Sequence, residues 1–437
     1  MASLRFDAVI IGAGVAGLAA LRELDRAGCH VLCLEARDRI GGRIFTCREP
    51  FSPLPIEFGA EFVHGRAPEI WDLIRDGRLI AYDCADKPLH IRNGKVQPSS
   101  NAWQQIEQVM ADVQKAASYG PDESFASFLN ESSYAEDTKQ LSTAYVEGFN
   151  AARKEIVGIA SLAEDAKASD LIDGNRSFRL ASGYQSIPLQ LVAGINGGAS
   201  KLRLNSMVER IEWRVGSVTV QIRGREVIHA RRALITVPLG VLQAEPGAEG
   251  AIRFDPEITE ILEAARSLRF GQVFRVVLRF RDAFWEADEQ FADAGFLLSD
   301  EPLFPTWWTT LGVRAPILTG WSAGPHADAL LDKSRSEIIS CAAASIARIT
   351  SRNEQELNRL LEAAYFHDWH ADPFARGAYS YVPAGASPVR KKLAEPVDDT
   401  LFFAGEATEQ NGHSATVHGA IASGIRAAQQ VLEAHRL

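Results

Sequence analysis

The feature that most constrains this chain is a run of glycines set between two short apolar stretches near its start. Ala8 to Ile11 is uniformly apolar and long enough for a buried parallel strand. Gly12-Ala13-Gly14-Val15-Ala16-Gly17 follows as a G-x-G-x-x-G turn. Leu18 to Ala27 repeats apolar residues at helical spacing, and Gly28 stops the helix. His30 to Leu34 is a second apolar run with Glu35 at its carboxyl end, 18 positions after Gly17. The pattern predicts a βαβ unit, and with it an open, largely parallel sheet.

The residue types suit one ligand chemistry. Gly12 makes a tight turn, Gly14 lets a pyrophosphate approach the backbone, and Gly17 lets helix and strand pack closely. The helix N-terminus supplies free N–H groups and the positive end of its dipole, with Ala16 in the first turn. Glu35 suits a ribose with a free 2′-hydroxyl and repels a 2′-phosphate. A G-x-G-x-x-G alone is weak evidence; strand before, helix after and acid beyond make it strong. These features predict a dinucleotide and leave NAD and FAD both open.

The next residues narrow that choice. Glu35-Ala36-Arg37-Asp38-Arg39-Ile40-Gly41-Gly42-Arg43 resembles the E-A-R-x-R-x-G-G-R run of the flavin amine oxidases. That family includes monoamine oxidases, polyamine oxidases and lysine-specific histone demethylases. The resemblance implies that this segment wraps FAD, with Arg43 near the pyrophosphate and flavin. It extends from Phe6 to about Leu432 and is strongest at the two ends. The implied fold is α/β: a Rossmann-like, glutathione-reductase-type FAD domain with an inserted α+β substrate domain. The expected FAD domain comprises 1–85, 185–270 and 390–437; the substrate domain comprises 86–184 and 271–389.

Bulk properties fit this reading. The chain has 437 residues, enough for two domains. Its 46% hydrophobic and 23% charged content are those of an ordinary globular protein. A net charge of −10 argues against nucleic acid and suits cationic small molecules. No uninterrupted apolar run reaches membrane-spanning length, and the start shows no export signal. Cys29, Cys33, Cys47, Cys84 and Cys341 are odd in number and lack a C-x-x-C, which predicts free thiols in a reducing cytoplasm. His367 and His370 have no further ligands at metal spacing, so no metal site is expected.

Further segments carry the resemblance along the chain. Gly59, Ala60, Glu61 and Phe62 match a loop at the flavin edge, and His64 falls where the family places a polar residue facing the substrate; a turn histidine bonded to backbone is the plain alternative. Residues 66–180 read as mostly helical, over Trp103 to Ala117 and Ser124 to Ala168. Ser182 or Gly183 is expected to start the next helix. Val208 and Val237 match backbone positions near the adenine. Gly271 to Phe280 alternates as a strand. Within it, Arg275 stands where the family commonly has a lysine that holds a water against flavin N5. Arginine keeps the charge but has another shape. It could order a water, slow the oxygen reaction, or only pair with a carboxylate. Pro325 to Arg348 and Gln355 to Ala364 read as amphipathic helices.

Near the end, Trp369 and Arg376-Gly377-Ala378-Tyr379-Ser380-Tyr381 resemble the run in which Tyr379 would form one wall of an aromatic cage and Trp369 would flank the ring. Ala378 replaces the cysteine of covalent-flavin relatives, so the FAD is expected to be non-covalent. Leu401 to Thr408 and His413 to Ala420 resemble the family's F-A-G-E…A-T-V-H-G-A signature, with Gly405, Glu406, Ala415, Thr416 and Val417 on the cofactor and His413 nearest to the second cage wall.

The implied activity is amine oxidation. An amine lies before the flavin, hydride passes to N5, and the imine hydrolyses to an aldehyde or ketone plus ammonia or a smaller amine. Dioxygen then yields hydrogen peroxide. Arg275 and His64 are the candidate catalytic residues; Tyr379, His413 and Trp369 the candidate substrate contacts. An L-amino-acid oxidase or a desaturase on the same scaffold is the nearest rival, and a flavin-bearing binding protein the more distant one. The expected partners are a small-molecule amine and O2, without nucleic acid or membrane, in a monomer or homodimer.

Overall fold

The Phe6–Ile11 strand lies between two parallel neighbours in the computed structural model, which describes residues 6–85, 87–92, 94–97 and 102–436. On one side is Val31–Leu34, and on the other Ile228–Ile235. Leu401–Phe403, from the far end of the chain, pairs in parallel with the last residues of Ile228–Ile235. These strands belong to an eight-stranded sheet with further antiparallel members. Apolar clusters cover both of its faces, which is why its parallel strands read as continuous apolar runs.

Two helices lie against one face. Val15–Arg26 starts at Gly14 and ends where Gly28 takes φ +82°. Val417–Arg436 packs across it, so closely that a Cβ on Gly424 would sit 2.1 Å from the Ala16 carbonyl oxygen. Both ends of the sequence therefore build one layer. This is the Rossmann-like α/β arrangement expected from the glycine turn.

A seven-stranded sheet forms the second body of the molecule. Its order begins Leu361–Phe366, Val273–Phe280, Ile317–Ala323 and Thr306–Trp308. All eight residues of Val273–Phe280 are buried, including Arg275. The strand alternates in chemistry, but both faces are covered. Helices Ala102–Tyr119, Phe125–Glu131, Glu136–Phe149 and Ile159–Asp170 gather around a separate apolar cluster.

Some local expectations change. The helix after Gly183 begins at Ser186, because Ser182 and Gly183 belong to the turn that follows strand Ser177–Leu180. Pro325 to Arg348 is two helices, Pro325–Asp328 and Arg335–Ile349, the second opened by a Ser334/Glu337 capping box. Gln355 to Ala364 is helical only to Leu360. Leu361–Phe366 then pairs antiparallel with Val276–Phe280. Its Leu-Glu-Ala-Ala composition favours helix, but the open edge of that strand overrides the local preference.

No helix among the described residues is long and apolar enough to cross a membrane. The five cysteines are unpaired. No group of three His, Cys, Asp or Glu among the described residues is placed to hold a metal.

Candidate functional site

The carboxyl ends of three adjacent parallel strands converge on the glycine turn. Thr236 follows Ile228–Ile235 and donates its hydroxyl to the carbonyls of Ile11 and Gly12, at 2.9 and 3.0 Å. A Cβ on Gly17 would lie 2.0 Å from the Gly12 oxygen, so only glycine lets the helix start so close to the strand. Gly14 differs: a Cβ there would meet nothing within 4 Å. The helix behind it has no side-chain cap, so its first N–H groups face this open side.

Glu35 is buried beside the turn. One oxygen accepts the Ala13 N–H at 2.7 Å and the other the Arg37 N–H at 3.0 Å. A carboxylate has about four acceptor positions, so capacity remains for a diol. Ala36 and Arg37 lead away from the strand, and the Arg37 side chain is committed to both oxygens of Asp372, at 2.8 and 2.9 Å. Against the cost of burial, hydrogen bonds from His367 and Arg37 hold the Asp372 carboxyl well below the usual carboxylate range. Val208 opens its strand two residues after Ser206, whose N–H donates to the Glu35 carbonyl. Val237 follows Thr236 and, with Arg43, Gly405 and Glu406, lines a small pocket at the strand ends.

Gly42, at φ +59°, brings the second glycine pair against Gly14, whose Cα would lie 3.3 Å from an added Cβ. Arg43 then joins the two ends of the chain. Its guanidinium pairs with Glu406 at 3.0 Å and also donates to the Ala378 carbonyl. The other Glu406 oxygen accepts the Ser380 hydroxyl at 2.7 Å. Gly405, at φ +132°, is open on the side where a Cβ would project. Ala415 takes φ +59°, and the Thr416 hydroxyl accepts the Gly419 N–H, capping the final helix just before Val417.

The Gly59 loop closes one edge. A Cβ on Gly59 would sit 1.8 Å from the Arg43 oxygen and 3.2 Å from the Trp369 ring. Ala60 donates to the Arg43 carbonyl at 3.3 Å, and the Trp369 indole N–H to the Phe58 carbonyl at 2.8 Å. Arg275 donates to the Gly59 carbonyl at 2.9 Å and pairs with Glu61. The same carboxylate pairs with Arg179 and accepts the Trp308 N–H at 3.0 Å. Glu61 loses solvation in this site, but the charges of Arg275 and Arg179 outweigh that and lower its pKa. The Arg275 guanidinium also lies over the Trp308 ring.

Side chains from three segments meet between this loop and the helical cluster. Tyr379 donates its hydroxyl to the Phe149 carbonyl at 2.7 Å. The Phe149 ring meets the edge of His64, with centroids 5.7 Å apart, and stacks on Tyr145 at 5.6 Å. Tyr145, Tyr379 and His64 are each half-buried. His413 is also partly accessible, and its Nδ1 lies 3.2 Å from His418 Nε2. Burial pushes the His64 pKa down to about 4. Burial, then the charges of His413 and His64, lowers that of His418 to about 3. Both imidazoles are neutral at neutral pH. Burial raises the Tyr379 phenol, which stays protonated.

The structure thus gathers Gly12, Gly14, Gly17, Glu35, Gly42, Arg43, Gly59, Gly405 and Glu406 along one groove. Phe62 lies next to His64 and Trp308, and the side chains of Arg37, Glu61 and Arg275 are already paired within the protein. Sequence reading missed Phe149, His418, Arg179 and Asp165. His418 stands inside the A-T-V-H-G-A run without being singled out there, and Asp165 lies on the buried side of its helix, in register with Ser161 and Ala168.

A family profile described as flavin containing amine oxidoreductase matches residues 15–432. The lysine-specific histone demethylase 2 of Homo sapiens is 28% identical over 461 residues, covering 97% of this chain but 53% of the human protein. The chain thus spans about half the length of that relative. Polyamine oxidase 3 of Oryza sativa subsp. japonica is 27% identical over 456 residues, covering 97% of this chain and 88% of that protein. Among solved structures, the cyclohexylamine oxidase of Brevibacterium oxydans IH-35A superposes with a TM-score of 0.83 at 22% identity, over 99% of this chain and all of that one, which establishes a shared fold. A match across nearly the whole length, on a groove built from both ends, places this chain in the family of flavin containing amine oxidoreductases.

Proposed function

We propose that this protein is an FAD-dependent amine oxidase, its two ends forming the cofactor domain and the inserted segments the substrate domain. The carrying observation is that Tyr379, Phe149 and His64 come together at the end of the loop whose Gly59 packs against Arg43 and Trp369. The groove residues fit FAD. Gly14 and Gly405 leave backbone open where a Cβ would otherwise fill the space, Glu35 keeps free acceptor positions, and two helix N-termini stand beside them. Bound there, the flavin supplies a hydride acceptor and a route for electrons to O2.

The chain's own residues select and hold the amine. The faces of Tyr379, Tyr145 and Phe149 attract a cationic or partly charged nitrogen. His64 and His418, held neutral by burial, present it with no opposing charge. The Tyr379 ring is fixed by its hydrogen bond to Phe149, so an amine resting against it has one orientation available. Ala378, next to Tyr379, offers no thiol, which supports non-covalent FAD. Five unpaired thiols suit a reducing cytoplasm.

The test is anaerobic mixing of the flavin-loaded protein with a panel of monoamines, diamines and polyamines. Loss of the oxidised flavin spectrum with at least one amine, and ammonia or an amine among the products, is expected. A spectrum unchanged by every amine contradicts the proposal.

A further inference from the structure

The residue after strand Leu361–Phe366 is His367, and it touches three rings and one carboxylate. Its imidazole meets the Trp369 ring at 67°, with centroids 4.2 Å apart. The Phe45 and Phe58 rings lie 5.6 and 6.5 Å away. Its Nε2 is 2.9 Å from Asp372 Oδ2. A carboxylate only accepts, so Nε2 carries the hydrogen and donates. Trp369 is held from its other side as well. Its indole N–H donates to the Phe58 carbonyl, and its own carbonyl accepts the Gly377 N–H at 2.8 Å.

Asp372 joins this ring cluster to the glycine turn. The oxygen that takes the His367 hydrogen also accepts Arg37 Nη2 at 2.9 Å. Arg37 in turn stands between two acids: its Nη1 lies 3.8 Å from the Glu35 oxygen that accepts its backbone N–H. None of the side chains of Glu35, Arg37 and Asp372 keeps more than 12% of its surface, so these charges act in a poorly screened environment. An unbroken set of contacts thus runs from Glu35, beside Ala13 of the turn, to Trp369, beside Gly59. Ribose hydroxyls donating to Glu35 would take up part of its charge, and Arg37 would then rest more fully on Asp372. Because Arg37 and His367 share one oxygen, that change reaches the imidazole and the indole behind it.

We infer that Asp372 and His367 are positioning residues, which set the Trp369 indole at the flavin end of the groove and tie it to the ribose contact at Glu35. This rests on the FAD reading above and adds how the two ends of the cofactor site are held as one unit.

The experiment titrates full-length protein freed of flavin with ADP and with FAD, in the wild type, His367→Phe, His367→Gln and Trp369→Phe. Phenylalanine keeps a ring against Trp369 and loses the donor to Asp372; glutamine keeps a donor and loses the ring. ADP fills only the ribose end. In the wild type it should change the indole emission, and Trp369→Phe should remove that change. Both His367 variants should bind ADP within about twofold of the wild type, since Arg37 and Glu35 are untouched. They should bind FAD about tenfold more weakly, with a shifted visible spectrum of the bound flavin. ADP that binds the wild type without altering its emission overturns the inference even if no variant folds. So do His367 variants that lose ADP and FAD affinity equally, or that keep wild-type FAD affinity and spectrum. Each of these results leaves FAD binding and amine oxidation standing, whereas a wild-type protein that binds neither ADP nor FAD removes the underlying reading.

Discussion

Arg275 and Glu61 form an ion pair sealed inside the protein, with Arg179 on the other oxygen of the same carboxylate and the Trp308 indole donating to it. The arginine reaches the carbonyl of Gly59, the residue that packs against Arg43 and Trp369. Arg275 therefore links the second sheet to the groove wall. Its side chain is directed by tertiary partners that lie far away in sequence.

Removing the acid from this cluster leaves two buried arginines without a counter-charge. Glu61→Gln should cost about 3–5 kcal/mol of stability, the usual result of breaking a buried pair from one side. Urea unfolding measures it. A loss under about 1 kcal/mol would show that water or another acid takes over the pairing.

Lysine at position 275 restores the residue common in the family. Arg275→Lys should leave amine-driven flavin reduction within a few-fold and speed reoxidation by O2, read by stopped flow after anaerobic reduction. An unchanged oxygen rate means that this position does not control it.

Gly14 and Gly59 separate cofactor binding from folding. A Cβ on Gly14 meets no protein atom, whereas one on Gly59 overlaps the Arg43 carbonyl. Gly14→Ala should give apoprotein of wild-type thermal stability with much weaker FAD binding. Gly59→Ala should lose stability as well as colour. Full FAD occupancy in Gly14→Ala would show that the pyrophosphate does not pass there.

Acid stability follows from the buried histidines. His64 and His418 have folded-state pKa values of about 4 and about 3, below the unfolded value near 6.5. Their contribution is present above about pH 6.5 and is lost as pH falls towards the folded values, because the unfolded chain takes up protons first. The combined penalty is on the order of a few kcal/mol. His64→Gln should flatten the acid limb of a stability–pH curve measured by urea unfolding. An identical limb would show that His64 titrates normally.

Much of the geometry around the glycine turn is legible in the sequence because local rules write it. Gly12, Gly14 and Gly17 answer to backbone geometry, Glu35 ends a strand, and Gly405 and Ala415 sit in turns of fixed shape. The substrate side is less legible. Phe149 faces His64 and Tyr379 only because separate segments meet there. Nothing local tells Arg275 that its partner is Glu61. Leu361–Phe366 becomes a strand because a neighbouring strand offers an edge. Asp165 left a trace, an acid in an apolar helical register, but its partners Ser414 and Arg390 come from distant segments.

The most direct measurement is an anaerobic titration of the purified, flavin-loaded protein with amine, followed by the visible spectrum of the cofactor. The account predicts a yellow protein that releases intact FAD on acid denaturation and is bleached stoichiometrically by an amine. A protein that binds no FAD, or whose bound FAD keeps its oxidised spectrum with every amine, would contradict it.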